Sequence, residues 1–201
     1  MFNLFFSIFK SARPRQWVKN FSIFAALIFT GLFFDAELFN KTVLGFILLS
    51  ILVSSVYFIN DITDINRDKL HPFKKNRPIA KGDLSIGLAT LIAVSGIIFS
   101  LALSSTLSVF FFYALLVYLF LQLAYTFVLK EVVVLDILAI ATGFVLRVYA
   151  GAFLIDAHLS IWFLLCVISA SLFLAAGKRR AELAILHANL ASSHRRTLSM
   201  Y

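Results

Sequence analysis

The stretch TVLGFILLSILVSSVYFINDITDINRD, residues 42–68, reads as an apolar rod ending in an acidic motif. Residues 42–59 carry no charge and match the length needed to cross a bilayer core, about 17–25 residues. The run is continuous rather than alternating, which implies a helix and argues against a barrel strand. Asn60, Asp61, Asp64 and Asp68 follow without a turn signal. On one helix the three Asp are spaced i, i+3, i+7 and fall within roughly 60° of one another. Carboxylates so arranged repel unless a cation neutralises them. With Asn60 as a neutral oxygen nearby, Mg2+ is the expected partner. The alternative is a solvated acidic helix end beside a basic loop. The triplet holds three of only ten acidic residues and continues a span, which favours the metal.

Outward from this stretch the chain keeps the same character. Of 201 residues 61% are apolar, Phe fills 23 positions, and 14% are charged, against roughly 25% in a soluble domain. A water-soluble globule, a disordered tail and a disulfide scaffold are excluded. The lone Cys166 rules out an intrachain disulfide. Six spans are expected, at residues 21–34, 42–59, 85–103, 108–128, 132–153 and 159–176. The fold class is therefore an all-α polytopic membrane bundle. All Lys and Arg except Lys41 and Arg147 then fall on one side, which explains the net charge of +8 as topology. By the positive-inside rule that side and both termini are cytoplasmic. Residues 1–20 read as a basic N-terminus whose first nine residues lie in the interface. Asp83, after Gly82, is the expected cap of the third helix.

Further candidates cluster at the basic side. Lys69, His71, Lys74, Lys75 and Arg77 lie in a loop held by Pro72 and Pro78. Topology alone accounts for such charge, but beside carboxylates it would also hold a metal-bound phosphate. Arg77 is favoured because Pro78 fixes the backbone that orients its guanidinium. Tyr125 and Lys130 bracket the end of the fourth span, where a belt residue and a topology charge are the alternatives. Asp136 opens the fifth span. Arg147 sits three turns further on, about 16 Å along the same face. A cation at that depth needs a partner or a wet cavity. Gly143, Ala150 and Gly151 nearby permit close helix packing. After the sixth span Lys178, Arg179 and Glu182 share a face, with a stop-transfer role as the alternative. His71, His158, His187 and His194 show no ligand spacing.

With NDITDINRD (60–68), HPFKKNRPIAKG (71–82) and YTFVLK (125–130), the chain resembles the UbiA superfamily of intramembrane prenyltransferases. RPRQWVKN (13–20), LDILAIATGFVLRVYAGA (135–152) and AAGKRRAEL (175–183) resemble its branch that transfers phosphoribosyl groups to polyprenyl phosphate. The resemblance implies a UbiA-like bundle lacking the family's last helices. It forms one membrane domain over residues 1–201, with 60–84 as a cytoplasmic catalytic loop. It also implies Mg2+ on Asp61, Asp64 and Asp68 with Asn60 assisting, and Tyr125 on a phosphate or ribose oxygen. Arg77, Lys130, Lys178 and Arg179 would take the remaining phosphates. Lys19, Lys74, Asp136, Arg147 and Glu182 would complete the substrate site.

The implied partners are phosphoribosyl pyrophosphate, a decaprenyl-type polyprenyl phosphate and the bilayer, with a homo-oligomer compatible and no nucleic acid. The product would feed cell-envelope glycans at the inner membrane. Aromatic prenyltransferases of the superfamily carry a second Asp-rich motif after span six. Here Lys178, Arg179 and Arg180 stand there with the single acid Glu182, which favours a donor bearing an extra phosphate. The other readings are prenyl transfer from a prenyl diphosphate to a small acceptor, and a transporter or scaffold with no catalysis.

Overall fold

A computed structural model describes residues 2–131 and 134–189, and among them every regular element is helical. In chain order these are α1 (Phe2–Ala12), α2 (Ala25–Phe29), α3 (Ala36–Thr63), α4 (Ile65–Leu70), α5 (Pro78–Lys81), α6 (Ile86–Leu107), α7 (Val109–Phe127), α8 (Leu135–Leu154) and α9 (Ile161–Asn189). Five of them, α3 and α6 to α9, are long and apolar enough to cross a bilayer. His194, Arg195 and Arg196 lie outside the described residues, as do the side chains of Glu182 and His187.

The first expected span, 21–34, is not one helix. A 3-10 helix (Pro14–Phe24), α2 and a 3-10 turn (Leu32–Phe34) replace it. Local chemistry breaks it up. Pro14 starts the segment without an N–H. The Thr30 hydroxyl donates back to the carbonyl of Ala26 at 2.8 Å, and Gly31 takes a φ of 76° that ends α2. Asp35 then caps α3, accepting from the backbone N–H of Glu37 and Leu38 at 3.0 Å. Even so, the broken segment runs antiparallel to α3. Arg13 pairs with Asp61. Trp17 donates to Ser54 and Asn20 to Ser50, both at 3.0 Å. Phe24 packs on Phe46, and Phe33 on Phe39. Eleven 3-10 residues rise about 22 Å, against about 16 Å in an α-helix, so a short run covers the depth.

The segment 14–24 closes a ring with α3, α6, α7 and α8, while α9 packs outside against α8. The central member is α3: 61% of its apolar window is buried, against 11% for α9. Lipid cannot drive apolar helices together, so small residues and interhelical hydrogen bonds do the joining. On α6, Ala89, Ala93, Ser100 and Ser104 are all fully buried, and Ser100 donates to the Leu48 carbonyl at 2.7 Å. Of the small residues expected to allow close packing on α8, Ala150 is buried, and Gly151 lies against the carbonyl of Ile23. The cap of α6 is Ser85, not Asp83, which instead pairs with Lys81 at 2.9 Å. α1 turns Ser7 and Ser11 inward and leaves Phe5, Phe6 and Phe9 exposed, as an interfacial helix would.

Gly151→Ala would drive a methyl into the Ile23 backbone, which a rotamer change cannot relieve. A loss of about 1–3 kcal/mol is expected, read as a lowered thermal midpoint in detergent. Gly87→Ala, on α6 with open space around it, should cost nothing in the same assay.

Candidate active site

The acidic motif does not continue α3 as one smooth helix. α3 ends at Thr63, Asp64 takes a bridging conformation (φ −92°, ψ 7°), and α4 begins at Ile65. The expected single face of three carboxylates is therefore corrected to a bent one. Asp61 and Asp68 are each 2% exposed. Asp61 accepts from Arg13 and, at 3.1 Å, from Arg77, while Asp68 accepts from Arg77 at 2.5 Å. Both oxygens of Asp64 face Lys130 Nζ, at 2.7 and 3.0 Å. Every acid of the motif is thus met by a cation. No group of three His, Cys, Asp or Glu in metal-holding geometry occurs among the described residues. The physical reason is burial: carboxylates at the end of a membrane helix need a counter-charge whether or not a metal supplies it.

Each cation arrives from a different element. Arg13 precedes the 3-10 segment, with φ 52° and its guanidinium 4.7 Å from the Tyr57 ring centroid. Arg77 is held extended ahead of Pro78, which opens α5. Lys130 sits in the 3-10 turn Leu129–Glu131 after α7 and is 6% exposed.

Beneath the motif lies a cavity of about 750 Å³. Its α3 wall runs from Val53 past Tyr57 and Asn60 to Asp64, about 16 Å along the helix. Six cations line it: Arg13, Lys19, Lys74, Arg77, Arg147 and Lys178. Asp64 is the one acid among the described lining residues. The side-chain oxygen of Asn60 is buried without a hydrogen-bond partner. Tyr125 and His71 also reach the wall, and His71 Nδ1 accepts from the Phe73 N–H at 3.1 Å. In a 3-10 helix residues i and i+3 eclipse, so Gln16 and Lys19 share one polar edge facing the cavity, and Arg13, just ahead of the helix, reaches the same cavity. The adjacent edge, Trp17 and Asn20, grips α3.

Two expected binding residues are not available to a ligand. Arg179 is 1% exposed and ion-paired to Asp136, which is equally buried. Tyr125 donates to Asp136 at 2.9 Å and accepts from Arg179 at 3.1 Å. This knot ties α9 to α8 and α7, and neither Arg179 nor Asp136 lines the cavity. Lys178, one residue earlier, does. Arg147 and Asp136 do not interact. Arg147 instead enters the cavity wall on neutral partners. Lys19, Lys74, Arg77, Tyr125 and Asn60 all reach the cavity, whereas Glu182 lies outside the described side chains. Sequence reasoning missed Arg13, Gln16, Tyr57, Tyr118 and Gln122 as lining residues. For Gln16 the three-residue spacing with Lys19 was the available signal.

The UbiA prenyltransferase family profile matches residues 20–180, and the chain belongs to that family. Over 90% of its length it is 41% identical to a decaprenyl-phosphate phosphoribosyltransferase of Mycolicibacterium smegmatis, covering 58% of that protein. A protein of the same name from Mycobacterium tuberculosis is 40% identical, over 90% of this chain and 61% of its own. The chain thus spans about three-fifths of the length of these curated relatives. In structure it resembles a UbiA homolog from Archaeoglobus fulgidus bound to DMAPP and Mg2+, with a TM-score of 0.66 and 24% identity. That match covers 85% of this chain and 60% of the other. The same homolog bound to Cd2+ gives a TM-score of 0.67 at 22% identity, over 96% and 66%.

Arg179→Gln strands Asp136 in a dry site, and a loss of about 3–5 kcal/mol is expected. Thermal unfolding in detergent checks this, and adding Asp136→Asn should restore much of it. A variant with unchanged stability but weakened ligand binding would return Arg179 to the substrate site.

Proposed function

We propose that this chain carries the donor site of a transferase. It moves a phosphoribosyl group from phosphoribosyl pyrophosphate to a polyprenyl phosphate at the cytoplasmic face of the cell membrane. One observation carries the reading: among the described lining residues, six cations stand against one acid. A prenyl diphosphate needs cations only at its head and an apolar wall along its tail. A phosphorylated sugar diphosphate needs cations throughout. Decaprenyl-phosphate phosphoribosyltransferases at 38–41% identity support the same reaction class. The prenyl-transfer reading is weakened by Arg179, which stands where that chemistry would want an acid and is itself consumed by Asp136.

The donor set fits a magnesium ion: hard carboxylate oxygens beside an orphaned amide oxygen. Asp64 and Asn60, backed by Asp61 and Asp68, would hold it. When bound, it neutralises charge on the departing diphosphate. Arg77 and Lys130, at the same rim, stabilise that leaving group as charge develops. Arg13 keeps Asp61 in place. The acceptor phosphate oxygen is already anionic. It forms the new bond to the anomeric carbon as the bond to diphosphate breaks, so no general base is required. The prenyl tail stays in the bilayer, along the exposed Phe and Leu side chains that would face it.

The test supplies membranes bearing the chain with labelled phosphoribosyl pyrophosphate, polyprenyl phosphate and Mg2+, the M. smegmatis relative running alongside. Label should enter the lipid fraction, fall by about 100-fold or more with Asp64→Ala, and stop when EDTA removes the metal. Undiminished transfer by Asp64→Ala would remove the acidic motif from the chemistry.

A further inference from the structure

The inner end of the cavity holds a cation that no acid among the described residues neutralises. Arg147 is 6% exposed, and its hydrogen-bond partners among the described residues are all neutral. Its Nε donates to Asn20 Oδ1 at 3.0 Å, Nη1 to the Gly143 carbonyl at 2.9 Å and Nη2 to the Tyr118 hydroxyl at 2.5 Å. The guanidinium carbon lies 4.9 Å from the Tyr118 ring centroid and 5.3 Å from that of Phe144. Asn20 is fully buried and donates in turn to Ser50 on α3. On each of three helices the site lies inward of the polar end, by lengths that differ with the helix. Tyr118 lies two turns below Tyr125 on α7, about 10 Å. Arg147 lies three turns below Asp136 on α8, about 16 Å. Ser50 lies four turns below Asp64 on α3, about 21 Å. The acidic motif and Arg147 therefore mark opposite ends of one cavity, and both Asp64 and Arg147 line it.

A buried guanidinium with only neutral acceptors retains its full charge, and in a low-dielectric wall that charge favours an anion strongly. A hydrocarbon tail in the same place would desolvate it without compensation.

We propose that Arg147, oriented by Asn20 and Tyr118, is the seat of a second phosphate. The cavity then selects a ligand that is anionic at both ends and rejects one whose far end is hydrocarbon. Asn20 and Tyr118 are positioning residues here, and Arg147 is the contact. The inference rests on the donor reading above and adds which end of the donor goes where: diphosphate at the acidic motif, the sugar's terminal phosphate at Arg147.

The experiment measures equilibrium binding to the purified chain in detergent with Mg2+. The probes are phosphoribosyl pyrophosphate, inorganic pyrophosphate and ribose 5-phosphate. The informative variant is Asn20→Asp, which sets a carboxylate against Arg147 Nε in the same shape and so neutralises the cation without a cavity. Its thermal midpoint should match or exceed that of the parent. Its affinity for phosphoribosyl pyrophosphate should fall at least tenfold, with pyrophosphate binding unchanged within about twofold. Arg147→Met should do the same, and ribose 5-phosphate should compete on the parent only.

Equal weakening of pyrophosphate and phosphoribosyl pyrophosphate would overturn the inner site, and so would no weakening of either. Normal label transfer by Asn20→Asp would overturn it too, while leaving the transferase reading intact. Arg147-dependent binding of the sugar diphosphate with no transfer to lipid would do the reverse.

Discussion

Charge at the end of an apolar helix has to be matched, and the structure is arranged around how α3 meets that demand. Asp61, Asp64 and Asp68 draw Arg13, Arg77 and Lys130 from three separate stretches of chain. The N-terminal segment, the loop after α4 and the turn between α7 and α8 are pinned to one point by this single requirement. Such pairs add little net stability, because desolvation offsets most of the attraction, but losing one partner is costly. Their effect is on placement. They decide which loops crowd the rim of the cavity, and so which cations a ligand meets first.

The second buried pair works differently. Asp136 and Arg179, joined by Tyr125 from the cavity wall, hold α9 against the bundle, and neither charged group lines the cavity. One residue away, Lys178 faces the cavity. Adjacent cations on one helix therefore divide the labour, one joining helices and the other shaping the potential of the site. The result is a wall with strong positive bias, bounded by a rim where acids and cations alternate.

Much of this was legible in the chain. Long uncharged runs mark α3 and α6 to α9, because bilayer thickness imposes a length that composition reveals. Asn60 to Asp68 stood out because so few acids occur elsewhere. Arg147 stood out because a cation inside a span demands an explanation. What stayed hidden was pairing over distance. Nothing local to Arg179 says that its partner lies 43 residues earlier. Nothing local to Asp64 says that Lys130 lies 66 residues later. The broken first pass was concealed for a different reason. Its hydrophobicity matches a span, while Pro14, Thr30 and Gly31 act through backbone geometry that a hydropathy reading does not weigh.

The 3-10 segment carries one more implication, for how this region can change over evolutionary time. With three residues to a turn, its side chains stand in three separate files, and two of these are already committed, one to the cavity and one to α3. Swapping a residue for a like one within a file is a small perturbation. Adding or deleting a single residue rotates everything downstream by a third of a turn, exchanging wet positions for dry ones. Length between Pro14 and Phe24 should therefore be held far more tightly than identity.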